Sequence, residues 1–183
     1  MSGVSFPKAY ADRVAKLRVF FGFLLIGAFV WLAKPGGWSL AVGLPVSALG
    51  LALRGWAAGH LEKNLKLTES GPYARVRNPL YMGTLTAAAG LAIASERWEL
   101  GVLFAAVFLL VYLPVVELEE QHLRELFPEF GEYASRVPRL VPKLGRVRAG
   151  KRFEWGRYTH NREYEALVAF LAGVAVLAWK VFF

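Results

Sequence analysis

The sequence predicts an all-α integral-membrane bundle of about five transmembrane helices plus a cytoplasmic interfacial helix. Three observations carry that prediction. Hydrophobic residues make up 56% of the 183 residues, above the roughly 45–50% of soluble domains, and the mean hydropathy is +0.38. The excess sits in five nearly uncharged blocks. Of the 22 lysines and arginines, 19 fall in segments that alternate topology would place on one side of a membrane.

The blocks follow in order. Residues 17–33 carry only Arg18, and residues 39–53 carry no charge and stop at Arg54. Residues 79–94 are uncharged, residues 98–116 carry only Glu99, and residues 166–183 carry only Lys180. Each is close to the roughly 17–25 residues that cross a bilayer core as a helix, the second and third borrowing flanking residues. Residues 1–16 read as a short amphipathic lead-in, with Phe6, Tyr10, Val14 and Leu17 at helical spacing. Pro35-Gly36-Gly37 makes a tight turn between the first two spans. Gly43, Ser47, Gly50 and Arg54 share one face of the second span, and Gly83, Ala87, Gly90 and Ala94 one face of the third. Small residues let membrane helices approach closely, so helix packing is their expected role, with ligand contact reserved for Gly83. The fourth span has no breaker before Pro128 and is expected to run out of the membrane to about Phe127. The prolines of Val137-Pro138-Arg139-Leu140-Val141-Pro142 bound an extended piece, and a basic loop leads to the fifth span. No internal repeat or low-complexity tract divides the chain, which reads as one domain over 1–183.

The net charge of +8 follows topology rather than a nucleic-acid face. Only Lys34, Arg97 and Lys180 fall outside the basic segments. The positive-inside rule puts the N-terminus in the cytoplasm and the C-terminus outside, in the cell's inner membrane. The first apolar block lacks a small-residue cleavage site and reads as a retained span.

Composition also excludes chemistries. With no cysteine, disulfides and thiolate sites are ruled out, and three scattered histidines (His60, His122, His160) argue against a metal site. There is no G-x-G-x-x-G, no P-loop pattern and no Ser-centred elbow. Two polar clusters remain. Arg75, Arg77, Asn78 and Tyr81 stand at the head of the third span, and Glu117, Glu119 and Glu120 at the foot of the fourth. Residues 95–97 join these spans as a tight hairpin, which returns the acids to the basic head. The result is either an ion-pair network that pins the hairpin or a polar pocket at the membrane surface.

These residues resemble the isoprenylcysteine carboxyl methyltransferase family, itself similar to integral-membrane phospholipid N-methyltransferases. The resemblance rests on Gly71-Pro72-Tyr73, Arg77-Asn78-Pro79-Leu80-Tyr81-Met82-Gly83, Glu119-Glu120-Gln121-His122-Leu123, Phe127, Tyr133 and Val137-Pro138-Arg139, and covers about residues 50–142. A C-terminal span over 163–183 lies beyond it. It implies S-adenosylmethionine as cofactor, S-adenosylhomocysteine as product and a lipid or other lipophilic substrate taken from the membrane. It also implies cofactor contacts from Tyr73, Asn78, Pro79, Tyr81, Gly83, Glu119 and Glu120, catalytic roles for Arg77 and Glu119, and substrate contacts from Arg54 and Arg77. Asn78 stands where the family usually has His, and Val115 where eukaryotic members have arginine. Two other readings stay open: a membrane reductase of the steroid-reductase type with a nicotinamide cofactor, and a non-enzymatic helical scaffold.

Overall fold

A computed structural model describes residues 6–143 and 150–182. It is all helical, with no strand among the described residues. In chain order the long elements are α1 (Lys8–Leu32), α2 (Gly37–Ala58), α3 (Pro79–Ala94), α4 (Trp98–Val107), α5 (Leu113–Leu126) and α8 (Tyr164–Phe182). Two short helices, α6 (Phe130–Arg136) and α7 (Trp155–His160), and a 3-10 turn over Gly71–Ala74 complete the described elements. A π turn, Phe108–Tyr112, welds α4 to α5 as one rod, Trp98–Leu126. Four helices are long and apolar enough to cross a membrane: Lys8–Leu32, Gly37–Ala58, Trp98–Leu126 and Tyr164–Phe182.

The expectation of an all-helical membrane bundle holds, with four corrections to its parts. The lead-in is not separate: it winds straight into α1, where Val14 packs on Val107 and Val111. The third span borrows no flanking residues, and its 16 residues rise only about 24 Å. At its start the Asn78 N–H is committed to the Arg139 carbonyl (3.2 Å), and at its end Glu96 turns to φ 52°. The basic loop contains α7, while its residues 144–149 lie outside the described range, as do residues 1–5 of the lead-in and Phe183 of the last span. After the fourth span the sequence sets Leu123, Leu126, Phe127 and Phe130 on one apolar stripe; Leu123, Phe127 and Phe130 pack together with Leu67, but Leu126 stays exposed.

The small-residue faces of α2 and α3 meet and form the tightest contact in the bundle. A Cβ added at Gly43 would lie 2.5 Å from the Gly90 carbonyl, and one at Gly50 would lie 2.6 Å from the Gly83 carbonyl. Ser47 at this seam donates to the Ala87 carbonyl (2.8 Å). The π turn has an equally local cause. Pro114 has no N–H to give the Leu110 carbonyl four residues back, so the ladder widens there. The Tyr10 hydroxyl of α1 fills the gap by donating to the Leu110 carbonyl at 2.6 Å.

The two ends of the bundle differ. At one end the Lys34 N–H reaches the Ser95 carbonyl (2.9 Å), and Lys180 Nζ reaches the Ala33 carbonyl (2.8 Å). Trp31, Trp38, Trp98 and Trp179 are all exposed there, an aromatic belt of the kind found at a bilayer interface. At the other end, residues 150–163 strap the C-terminus of α2. The Asn161 amide donates to the Ala58 (3.0 Å) and Leu61 (3.1 Å) carbonyls, satisfying helix-end groups that would otherwise be orphaned.

Candidate functional site

The site forms where the head of α3 meets the foot of α5. Pro79 opens α3 at its first position, where the missing N–H costs nothing, so the helix starts abruptly at Asn78. The segment after α6 then runs beside residues 75–78. The Arg77 N–H donates to the Pro138 carbonyl (2.9 Å), and the Lys143 N–H to the Arg75 carbonyl (2.9 Å). This pairing carries Arg139 to the acids of α5, and it accounts for the two separated sequence motifs acting as one.

Glu120 is the hub. It is 3% exposed, and Asn78 Nδ2 donates to its Oε1 at 2.9 Å. Arg77 Nε forms an ion pair with the same oxygen at 3.0 Å, without the alignment of a hydrogen bond. Arg139 covers Oε2 through Nε and NH2, both at 3.1 Å. Glu120 is therefore saturated by its own chain. Arg77 is also engaged by the Ala134 carbonyl (2.8 Å). Asn78 sends its second amide proton to the Arg139 carbonyl (3.2 Å). Glu117 stands 4.0 Å from Arg139, and its Oε2 is buried without a hydrogen bond.

Glu119 differs. It is exposed, accepts one hydrogen bond from the Tyr81 hydroxyl (3.0 Å), and has no ion pair among the described residues. Tyr81 in turn leans edge-on against Tyr112, which the π turn brings to this wall.

These groups border a cavity of about 650 Å³. Tyr73, Asn78, Glu119 and Glu120 form its polar side; Leu80, Val115, Leu118 and Phe130 contribute apolar wall. The Tyr73 hydroxyl is buried with no partner. Burial raises its pKa and that of Tyr133, so both stay protonated donors. Tyr133 spends its proton on the Tyr73 carbonyl (2.7 Å), which fixes the 3-10 turn. The loop before that turn forms the rim. Its Glu62 bonds Lys151 (2.5 Å), and chiefly that bond holds its carboxyl below the usual range.

Of the residues singled out in the sequence, Arg54, Tyr73, Arg77, Asn78, Pro79, Tyr81, Glu119 and Glu120 line this one cavity. Gly83 does not: it faces α2, where an added Cβ would meet Arg54 Cγ and the Gly50 carbonyl, both at 2.6 Å. Arg75 also stays outside and is exposed to solvent. Arg54 enters the wall with its guanidinium paired to Glu163. Sequence reasoning missed Tyr112, for which Pro114 inside an apolar block was the available signal, and Glu163, an acid at the mouth of the last span.

Comparison with known proteins adds to this geometry. A family model described as phospholipid methyltransferase matches residues 17–129. The chain is 36% identical over 131 residues to the "Cobalt-zinc-cadmium resistance protein CzcN" of Cupriavidus metallidurans, covering 68% of this chain and 59% of that protein. It is 34% identical over 118 residues to the "Nickel-cobalt-cadmium resistance protein NccN" of Alcaligenes xylosoxydans xylosoxydans, covering 61% and 55% respectively. The chain thus spans somewhat more than half the length of these curated relatives. No solved structure matches it. Among the described residues no group of three or more His, Cys, Asp or Glu is placed to hold a metal ion.

Proposed function

Because this chain belongs to the phospholipid methyltransferase family, we propose that it moves a methyl group from S-adenosylmethionine to a lipophilic acceptor drawn from the membrane. In this it would act like an isoprenylcysteine carboxyl methyltransferase and release S-adenosylhomocysteine. The observation that supports this reading best is the cavity of about 650 Å³, polar at the α3 head and apolar beside it. Its size lies within the roughly 300–1,000 Å³ of small-molecule sites.

The residues fit such a cofactor. Glu119 is a carboxylate held in place by Tyr81 and left without a cation of its own chain among the described residues. It suits a sulfonium or an ammonium group. The orphaned Tyr73 hydroxyl supplies a donor for a carboxylate or a ring nitrogen. When bound, S-adenosylmethionine supplies a methyl group on a positively charged sulfur, open to in-line displacement by an acceptor lone pair. The chain's own task is positioning, which alone accounts for much of the rate of such a transfer. Glu120 holds Arg77, Asn78 and Arg139 in one rigid piece, so it supports the site rather than contacting ligand. Arg77 takes the same supporting part, because its guanidinium pairs with Glu120 and its NH1 donates to the Ala134 carbonyl. Asn78 carries no titratable proton and contributes hydrogen bonding alone.

The wall contributed by α1 and Tyr112 is where a lipophile would pass from the bilayer, and the cavity end would face the cytoplasm of the inner membrane. The basic residues cluster at that end, which supports a cytoplasmic N-terminus and a last helix ending outside. The relatives' names concern metal resistance and give no acceptor.

Calorimetric titration of the detergent-solubilised chain tests the reading. Saturable binding of S-adenosylhomocysteine with no heat from a reduced nicotinamide cofactor is expected. The reverse pattern would turn the reading toward a reductase, and no binding of either toward a scaffold.

A further inference from the structure

The mouth of the cavity holds charges that its interior does not. Arg18 from α1, and Lys63 and Lys66 from the loop after α2, all line it, all are exposed, and none forms an ion pair among the described residues. The three cations are not equivalent. Arg18 stands beside the exposed apolar side chains of Leu17 and Val19, on the bilayer side of the mouth. Lys66 lends its charge to Glu62, which Lys151 and Arg157 already hold. Lys63 is the cation whose charge bears most on Glu119, ahead of Arg18.

The loop that presents Lys63 is tied down on both sides. The Glu62 N–H donates to Thr68 Oγ1 at 3.3 Å, and the Glu62 carboxylate is gripped by Lys151 and Arg157 from the strap. Between these anchors Asn64 takes a left-handed φ of 59°, a conformation that Asn adopts more readily than most residues and that sets the direction of the turn. Lys63 and Asn64 both line the cavity. Across the mouth, the Tyr81 hydroxyl holds Glu119 at 3.0 Å. An ammonium and a carboxylate thus border one void from separate, anchored elements without closing on each other. A group that carries both charges on one carbon matches the two at once, each as a charge-assisted hydrogen bond. One turn along α5 from Glu119, Leu123 begins an apolar wall with Leu67, Phe127 and Phe130, a surface suited to a neutral heteroaromatic ring.

We propose that Lys63 is a ligand-binding residue: with Glu119 it forms a two-ended grip on an α-amino-acid group, Lys63 taking the carboxylate and Glu119 the ammonium. The inference rests on the methyltransferase reading for the identity of the ligand, since the methionine-derived end of S-adenosylmethionine is such a group, and it places that end at the cavity mouth.

Three adenosyl thioethers, titrated calorimetrically against the full chain in detergent, read it out. They are S-adenosylhomocysteine, its decarboxylated analogue, which lacks only the carboxylate, and methylthioadenosine, which lacks the amine as well. Lys63→Gln should weaken S-adenosylhomocysteine about five- to tenfold, the worth of one partly exposed charge-assisted bond, and leave the other two ligands unchanged. Lys63→Arg, which keeps the charge, should recover most of that loss. Glu119→Gln should weaken the two amine-bearing ligands and spare methylthioadenosine. Lys66→Gln removes the same charge from the same loop and should leave all three affinities within about twofold, which separates a specific contact from a general field. Lys63 makes no ion pair of its own among the described residues, so the Tm of Lys63→Gln should match wild type. S-adenosylhomocysteine affinity unmoved by Lys63→Gln overturns the proposal and leaves the methyltransferase reading standing. So does a loss shared by the decarboxylated analogue or reproduced by Lys66→Gln. A wild-type chain that binds none of the three overturns both.

Discussion

Glu119 and Glu120 are adjacent in sequence and opposite in setting, one saturated by its own chain and the other holding a single hydrogen bond, and neutralising each in turn tests whether they divide into site and scaffold. Glu120→Gln removes the charge shared by Arg77 and Arg139, which lie 3.0 and 3.1 Å away. Breaking a buried pair from one side costs about 3–5 kcal/mol. Arg77 and Arg139 retain 12% and 27% side-chain exposure, so water relieves part of the loss, and about 2–3 kcal/mol is the expectation. At this chain length that lowers Tm by about 5–10 °C. Glu119→Gln keeps an acceptor for the Tyr81 hydroxyl and uncovers no cation of its own chain. Its stability should stay within about 0.5 kcal/mol of wild type. Its affinity for S-adenosylhomocysteine should fall about 10- to 150-fold, the worth of one charge-assisted bond of about 1.5–3 kcal/mol. Thermal unfolding in detergent, followed by calorimetric titration of both variants, checks the pair. A Glu119→Gln chain that unfolds as early as Glu120→Gln and still binds normally would refute the division.

Three further outcomes follow from the packing. Gly50→Leu should cost about 1–3 kcal/mol because an added Cβ already meets the Gly83 carbonyl at 2.6 Å; thermal unfolding reads this, and an unchanged Tm would contradict it. Pro114→Ala restores the N–H that the Leu110 carbonyl lacks. It should stabilise the rod by about 1 kcal/mol and weaken ligand binding several-fold as Tyr112 turns away; lower Tm with unaltered binding would count against the proline origin of the π turn. Because Lys151 holds the Glu62 carboxyl below its ordinary range, the strap gains stability above the unfolded carboxylate pKa and loses it as pH falls through the folded value. Protection factors of the amides in residues 59–66, which remove the intrinsic slowing of exchange by acid, should therefore fall on acidification, and Glu62→Gln should remove that dependence.

The parts of this fold that depend on local chemistry were legible from sequence. Pro79 marked where α3 begins, though not that the helix would stop short at Ala94, and the glycine spacing on α2 and α3 foretold which faces meet. The short 95–97 link was enough to bring Glu119 and Glu120 back to Tyr81 and Asn78. What stayed hidden depends on distant partners. Nothing near Arg54 in sequence announces Glu163, 109 residues away. That Arg77 is engaged by the Ala134 carbonyl was also hidden, because this carbonyl comes from a short helix with no periodic signal. Glu120 looked equivalent to Glu119 because sequence shows a residue's type but not how many donors converge on it. The π turn arises from a missing hydrogen bond inside an apolar block, where hydropathy is blind to backbone pairing.

The most direct measurement of the central claim is transfer of tritium from methyl-labelled S-adenosylmethionine into the lipid-soluble extract of membranes containing the chain. Label should enter that extract with the wild-type chain and fall to background with Glu119→Gln. A well-folded wild-type chain that puts no label into any lipophile, or a Glu119→Gln chain that transfers as well as wild type, would contradict the account.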